Sequence, residues 1–160
     1  MPAPEIVYEN DELVCVCKPA GMPSQPDPTG QTDLLTLLQV RYGDERQVRV
    51  GLVHRLDTPT GGVMVYAKTA AALSRLSALV QNHERFVKEY LCVLPDAPVQ
   101  PVGELTDELY HDKTKNKSFV VKTARAGSKA ARLEYEVLSR AQGGETLCRV
   151  RLYTGRTHQI

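Results

Sequence analysis

Alternating side chains in the second half of the chain place the strongest limit on its fold. Residues 132–137 alternate strictly between charged and apolar side chains, and residues 88–94 are a second stretch with apolar side chains at alternate positions. Successive side chains of a β-strand point to opposite faces, so both stretches are predicted to be strands. A Gly143-Gly144 turn joins the first stretch to residues 146–153, which predicts a β-hairpin.

The first half of the chain mixes strand and helix patterns. The predicted elements, in chain order, are a strand over residues 12–18, a helix capped by Thr32 or Asp33 and stopped by Gly43, a strand over residues 63–68, and a helix over residues 69–82 with Thr69 as its N-cap. Two helices and at least five strands predict an α+β fold with a mainly antiparallel or mixed β-sheet and flanking helices.

Length and hydropathy favour one ordinary globular domain over residues 1–160. A chain of 160 residues buries roughly two-thirds of its unfolded surface, so it needs no disulfide or metal for stability. No apolar run approaches the roughly 20 residues of a membrane span, and the acidic N-terminus does not match a signal peptide. We therefore expect a cytoplasmic protein that has no membrane association.

The cysteines and histidines do not match a metal site. Neither set has the compact spacing of zinc ligands, and the cysteines lie in apolar, strand-like stretches. We expect no metal and four buried thiols, at Cys15, Cys17, Cys92 and Cys148.

Charge is distributed unevenly, although the net charge is only +1. Residues 1–45 sum to −6 and residues 46–160 to +7. One segment, called the basic segment below, carries the following cations between His111 and Arg132, with Asp112 as its one acidic residue: Lys113, Lys115, Lys117, Lys122, Arg125, Lys129 and Arg132. It suits a polyanion such as nucleic acid, and it equally suits a solvated surface. We expect the basic segment to form a hairpin or loop at the rim of the sheet.

Residues 51–63 place a carboxylate beside a base and a cation on a turn. Asp57 follows His54 and Arg55, and Pro59 and two glycines break regular structure after it. A carboxylate held at the end of an element suits a reacting group. It also suits a residue that caps the turn, so the segment alone leaves both interpretations open.

Three motifs follow one another along the chain. They are His54-Arg55-Leu56-Asp57 with Thr60, Gly62, Ala67 and Lys68 after it, then Lys88-Glu89-Tyr90, and finally Thr154-Gly155-Arg156-Thr157-His158-Gln159-Ile160. In order and spacing they resemble the signatures of RluA-type (RluA-, RluC- and RluD-like) RNA pseudouridine synthases. With residues 8–21 and 129–138, the resemblance covers almost the whole chain. Three ordered motifs make it specific, whereas one short motif would be weak evidence.

This resemblance implies the pseudouridine synthase catalytic fold and isomerisation of a uridine in ribosomal or transfer RNA. The C1′–N1 bond is cut and C1′ is joined to C5 of the base, without cofactor or metal. Asp57 is implied as the essential carboxylate, Arg156 as the cation that pairs with it, and Tyr90 as the residue that packs against the uracil. RNA is the expected partner, and we expect a monomer.

The resemblance also implies contacts with the RNA. Arg55 corresponds to a residue that enters the RNA where the flipped base leaves its stack, with His54 beside it, and Ile160 corresponds to an apolar position of the uracil pocket. From the basic segment we add three candidate phosphate contacts, Lys115, Lys117 and Lys122.

Two features depart from the family pattern. Position 61 is Gly where Ser is common, and the chain stops at Ile160, inside the closing motif. We therefore expect a shortened catalytic domain without an N-terminal RNA-binding domain, and weak activity. One alternative is a non-catalytic RNA-binding fragment or pseudoenzyme of the same fold. A more distant one is a carboxylate-dependent hydrolase, which needs a second carboxylate near Asp57.

Overall fold

The computed structural model describes residues 4–43, 50–96 and 98–160. The chain divides into two compact units, Met1–Asn82 and His83–Ile160, and each unit contains one sheet. None of the helices in the described residues is long and apolar enough to cross a membrane.

The first unit is built on a four-stranded sheet. Its strands are β1 (Glu5–Glu9), β2 (Leu13–Lys18), β3 (Gly51–Leu52) and β4 (Gly62–Ala67). They pair antiparallel in the order β1-β2-β4-β3. Val14 and Val16 on β2 share a face with Met64 and Tyr66 on β4, and all four are fully buried. This face therefore forms the core side of the sheet.

Helix α1 (Leu34–Tyr42) packs on that core side. Asp33 is its N-cap: one carboxylate oxygen accepts a hydrogen bond from the Thr36 amide at 2.9 Å, and the other accepts one from the Thr36 hydroxyl at 2.7 Å. The cap satisfies a backbone donor that the first turn leaves unpaired. Leu34, Leu38 and Tyr42 then join the buried residues of β2 and β4 in one core.

Helix α2 (Ala70–Val80) begins at Thr69, whose hydroxyl accepts a hydrogen bond from the Ala72 amide at 3.1 Å. The helix contacts β3 and β4. A Cβ atom on Gly51 would lie only 2.7 Å from the Leu73 side chain. Gly51 therefore leaves room for the Leu73 side chain, which would have to shift if this residue were larger.

The second unit is a five-stranded sheet. Its strands are β5 (Lys88–Leu94), β6 (Val102–Asp112), β7 (Lys117–Val121), β8 (Ser128–Arg140) and β9 (Thr146–Leu152). They pair antiparallel in the order β5-β9-β8-β6-β7.

The two faces of this second sheet differ in chemistry. On one face Leu133, Val150 and Leu152 form a buried cluster, against which Tyr90 and Cys92 pack. The other face carries ion pairs: Arg132 on β8 pairs with Glu104 on the neighbouring β6 and with Glu134 on its own strand, and Arg149 on β9 pairs with Glu136 on β8. The apolar face is therefore the core side of this unit, and the charged face meets solvent.

Residues 113–116 connect β6 to β7 at the tip of the basic segment. One carboxylate oxygen of Asp112 accepts hydrogen bonds from the amides of Thr114 and Lys115, at 2.9 and 3.1 Å. Asn116 has a φ of 47°, a left-handed conformation that Asn tolerates better than most residues. The predicted hairpin at the rim of the sheet is confirmed, and its loop is held by its own side chains.

Most of the predicted elements are confirmed, including both helices with their caps and the β8–β9 hairpin. The prediction of four buried thiols is wrong for three of them. Cys148 is buried, whereas Cys15, Cys17 and Cys92 are half-buried. Cys15 and Cys17 lie on the face of the first sheet opposite α1, and Cys92 lies on β5 at an edge of the second sheet. The single domain over residues 1–160 stays a prediction.

Replacing the N-cap Asp33 by Ala should lower the free energy of unfolding by about 1–2 kcal/mol, because the first turn of α1 loses its acceptor. Urea denaturation measures the change. Asp11→Ala, in the exposed turn between β1 and β2, is the matched control and should have almost no effect. Equal losses in both variants would contradict the capping role.

Candidate active site

Asp57 lies in the loop over residues 53–61, which connects β3 to β4, and its side chain is half-buried. A tight turn follows it: the amide of Thr60 donates to the carbonyl of Asp57 at 2.9 Å. The amide of Gly21 donates to the carbonyl of Thr58 at 2.7 Å, so a second loop supports the turn. Hydrogen bonds therefore restrain the backbone immediately after Asp57.

Lys18 is a residue of this site that the sequence motifs did not single out. It is the last residue of β2 and is fully buried. Its ammonium group donates to the carbonyls of Pro19, Met22 and Thr58, at 3.1, 2.5 and 3.2 Å. The third bond reaches the residue next to Asp57. A single buried cation therefore ties the loop after β2 to the loop that carries Asp57.

The charges of Lys18 and Asp57 interact. Burial lowers the pKa of Lys18, and the negative charge of Asp57 opposes that shift. An isolated buried ammonium is costly, whereas one that is hydrogen-bonded and near an opposite charge is tolerated. The first unit thus provides a carboxylate in a fixed position beside a compensating buried cation.

Ser24 holds the residue before Asp57. Its hydroxyl accepts a hydrogen bond from the Leu56 amide at 3.1 Å and donates one to the Leu56 carbonyl at 2.6 Å. The buried Tyr66 hydroxyl donates to the Ser24 carbonyl at 2.9 Å. The loop is therefore attached to the core on both sides of Asp57.

His54 has a structural contact in the same loop. Its Nε2 atom accepts a hydrogen bond from the Val65 amide on β4 at 3.2 Å. This bond connects the start of the loop to the sheet. The neighbouring Arg55 is exposed. A contact of either residue with RNA stays a prediction.

Tyr90 lies on the apolar face of the second sheet. It pairs with Val150 across β5 and β9 and packs against the buried cluster of that unit. The cluster therefore restrains the ring on one side, and the residue is half-buried. An aromatic side chain in this setting offers a rigid flat surface.

Arg156 belongs to the closing loop, residues 153–160, which runs beside β8 beyond the end of β9. The amide of Tyr153 donates to the carbonyl of Arg132 at 3.1 Å. Nε of Arg156 donates to the carbonyl of Ala130 at 2.8 Å, and the Ser118 hydroxyl donates to the carbonyl of Thr157 at 2.5 Å. These bonds set the direction of the Arg156 guanidinium.

Gln159 organises the closing loop from within. Its side-chain oxygen accepts hydrogen bonds from the Thr154 hydroxyl and the Arg156 amide, both at 2.9 Å. Its side-chain nitrogen donates to the carbonyl of Arg132 at 3.1 Å. An amide is needed because the same side chain accepts on one side and donates on the other. Ile160 follows it and is half exposed.

Arg156 also belongs to a group of three basic side chains. Burial and then the charge of Arg156 lower the pKa of Lys88. The pKa of His83 is lowered first by burial and then by Lys88 and Arg156. The lowered pKa keeps His83 largely neutral at pH 7, whereas the Lys88 ammonium and the Arg156 guanidinium create a positive potential, which favours an anion such as a carboxylate or a phosphate.

Asp57 belongs to the first unit, and Tyr90 and Arg156 belong to the second. Each is fixed by contacts inside its own unit, as described above. Pairing of Asp57 with Arg156 stays a prediction. Within residues 4–43, 50–96 and 98–160, no group of three or more His, Cys, Asp or Glu side chains could hold a metal ion.

Among the described residues, six of the seven cations of the basic segment form no ion pair, and Arg132 is the exception. Arg75, Arg132 and Arg149 each form an ion pair, and so does Lys68. In the part of the chain that the structure describes, by contrast, the following residues have no carboxylate within ion-pair distance: Lys113, Lys115, Lys117, Lys122, Arg125 and Lys129. Their charges are therefore available to an external anion.

Comparison with known proteins identifies the family. The model of the RNA pseudouridylate synthase family matches residues 12–160. An RNA pseudouridine synthase of Aquifex aeolicus is 36% identical over 97% of this chain and 50% of its own length. The ribosomal large subunit pseudouridine synthase D of Vibrio cholerae is 35% identical over 97% of this chain and 47% of its own length. The chain spans about half the length of these curated relatives.

A solved structure agrees in fold. Human RNA pseudouridylate synthase domain containing 4 superposes with a TM-score of 0.75 at 25% sequence identity, covering 97% of this chain and 61% of the human chain. The α+β fold predicted from the sequence is thereby confirmed as that of a pseudouridine synthase domain.

Replacing Lys18 by Met should lower the free energy of unfolding by about 2–4 kcal/mol, because buried carbonyl groups lose their donor. Urea denaturation measures the loss. Lys113→Met, at the exposed hairpin tip, removes the same charge and should change the free energy of unfolding very little. Equal stability of the two variants would show that Lys18 does not hold the Asp57 loop.

Proposed function

This chain belongs to the RNA pseudouridylate synthase family, and we propose that it isomerises a specific uridine of ribosomal or transfer RNA to pseudouridine. The family match over residues 12–160 carries the proposal, since it includes the loop of Asp57 and the closing loop. In this reaction the C1′–N1 bond breaks, the uracil turns over, a C1′–C5 bond forms, C5 loses its proton and N1 gains one. Ribosomal RNA is the first candidate, because several relatives are named for the large ribosomal subunit.

Asp57 is the proposed essential carboxylate, attacking either C1′ of the ribose or C6 of the base. Either role requires an ionised side chain in a fixed position with little competing water. The support lies in the first unit: the turn at Thr60, the bonds of Ser24 to Leu56 and the buried Lys18 all restrain the loop. A preorganised carboxylate needs little rearrangement when substrate binds.

Arg156 and Tyr90 are the proposed partners of the carboxylate and the base. Because Nε of Arg156 is held by Ala130, its guanidinium has a set direction in which to receive a carboxylate. The positive potential of Lys88 and Arg156 favours the same pairing. Tyr90, held by the apolar cluster, is suited to stack on a uracil that has left its helix.

RNA binding is proposed to use further residues of the two motif loops and of the basic segment. Arg55 is suited to occupy the space that a flipped base leaves, with His54 beside it, and Ile160 is suited to border the uracil. The unpaired cations of the basic segment, with Lys115, Lys117 and Lys122 foremost, would contact phosphates. We propose that the chain acts in the cytoplasm, as a monomeric single domain, without metal or cofactor.

Release of tritium from RNA labelled at uridine C5 tests the reaction directly. The 160-residue chain should release tritium from ribosomal RNA that lacks pseudouridine. Asp57→Asn should reduce release to background, because the neutral amide is not a nucleophile. Asp11→Asn makes the same chemical change in an exposed turn and should keep full activity.

Release by Asp57→Asn at the rate of the unsubstituted chain would remove Asp57 from the mechanism. Binding of RNA without release by the unsubstituted chain would support the alternative, a non-catalytic RNA-binding protein of the same fold. The unpaired cations of the basic segment favour that alternative equally, because phosphate binding does not require chemistry.

Replacing Lys115, Lys117 and Lys122 together by Gln should weaken RNA binding and flatten its salt dependence. Each lost phosphate contact lowers the slope of log K against log salt by about 0.7 for a single strand, so three contacts lower it by about 2. Fluorescence anisotropy at several salt concentrations measures the slope. Replacing Arg41, Arg75 and Arg149 by Gln removes the same charge elsewhere. An equal slope in both triple variants would mean that the basic segment is a solvated surface that does not contact RNA phosphates.

A further inference from the structure

Two aromatic side chains lie opposite each other on the hairpin formed by β6 and β7. Tyr110 on β6 pairs with Phe119 on β7, so both point to the same face of the hairpin. Phe119 is 43% exposed, a large fraction for an aromatic side chain. Lys117 lies two residues before it and shares its face, because side chains of a strand alternate. The arrangement is an aromatic surface beside an unpaired cation.

Arg125 extends this surface. Its guanidinium carbon lies 3.9 Å from the centre of the Tyr110 ring, a cation–π contact, and the Arg125 side chain as a whole is exposed to solvent. Planar guanidinium groups stack on nucleic-acid bases, which an ammonium group cannot do.

The position of Arg125 is fixed by its backbone. The amide of Ser128 donates to the carbonyl of Arg125 at 2.9 Å, and the amide of Arg125 donates to the Ser128 hydroxyl at 3.0 Å. Gly127 between them has a φ of 84°, which favours glycine. The Ser128 hydroxyl in turn donates to Glu108 at 2.8 Å. The turn therefore holds Arg125 over Tyr110 before any ligand arrives.

The surface is separate from the residues that carry the proposed chemistry. His111 and Ser118, the neighbours of Tyr110 and Phe119, point to the opposite face. That face meets the closing loop, where Ser118 bonds to Thr157 and the ring centres of His111 and His158 are 5.8 Å apart. Tyr110 and Phe119 thus lie on the other side of the hairpin from Arg156.

We propose that Tyr110, Phe119 and Arg125 form a stacking platform for unpaired bases of the substrate RNA. The proposal rests on the proposed function and deepens it by naming single-stranded nucleotides near the target uridine as the element recognised. Aromatic and guanidinium planes bind bases of any sequence, since every base has a π-face, while the neighbouring lysines hold the phosphates. A duplex keeps its bases stacked internally and cannot use the platform.

The test compares binding of the chain to a short oligouridylate and to a blunt RNA duplex of the same length. Phe119→Ala should weaken oligouridylate binding about 5- to 100-fold and leave duplex binding unchanged. Val120→Ala changes the next residue of β7, which is exposed on the opposite face, and should affect neither RNA. Arg125→Lys keeps the charge but loses the plane, so it should weaken oligouridylate binding without altering the salt slope.

Equal affinities of Phe119→Ala and Val120→Ala for oligouridylate would overturn the proposed platform. So would equal losses of affinity of Phe119→Ala for oligouridylate and for the duplex. The tritium assay separates this result from a failure of the proposed function. If the unsubstituted chain releases tritium and the Phe119 and Val120 variants bind oligouridylate with equal affinity, only the platform is contradicted. If oligouridylate binding depends on Phe119 but no tritium is released, the proposed isomerase activity is contradicted. The platform is then supported as an RNA-binding site.

Discussion

The buried ammonium of Lys18 is the contact on which the candidate site depends. It lies among three carbonyl oxygens contributed by two loops, and one of them belongs to the residue after Asp57. A cation in a dry interior is tolerated only when it is fully hydrogen-bonded and close to a negative charge, so the loops and the carboxylate stabilise it in return. The position of Asp57 and the burial of Lys18 are therefore two aspects of one arrangement.

Much of the first unit could be read from local patterns. Asp33 and Thr69 stand where capping chemistry requires them, and the alternation along β2 places Lys18 on the same face as the buried Val14 and Val16. A lysine on a buried face is a signal of a special environment, and that signal was present in the sequence. Its partners were not, because Thr58 is 40 residues away and nothing local specifies it.

The second unit contains features that local sequence patterns could not predict. The motifs identified Tyr90 and Arg156, yet the role of Gln159 depends on Arg132, 27 residues earlier, because its side chain donates to the Arg132 carbonyl where β8 extends past the end of β9. Strand β1, with the sequence Glu-Ile-Val-Tyr-Glu, was missed because an edge strand needs few apolar residues. Whether Asp57 meets Arg156 depends on tertiary placement, which no spacing within a motif can supply.

The short loop between β6 and β7 determines which side chains lie on each face of the hairpin. Asp112 and the left-handed Asn116 set its length, and with it the register that places Phe119 opposite Tyr110 and Ser118 opposite His111. A slip of one residue would exchange the faces of β7, turning the aromatic ring toward the closing loop and the serine toward solvent. One four-residue connection thus keeps a surface for bases and an anchor for the Arg156 loop on opposite sides of the same strand.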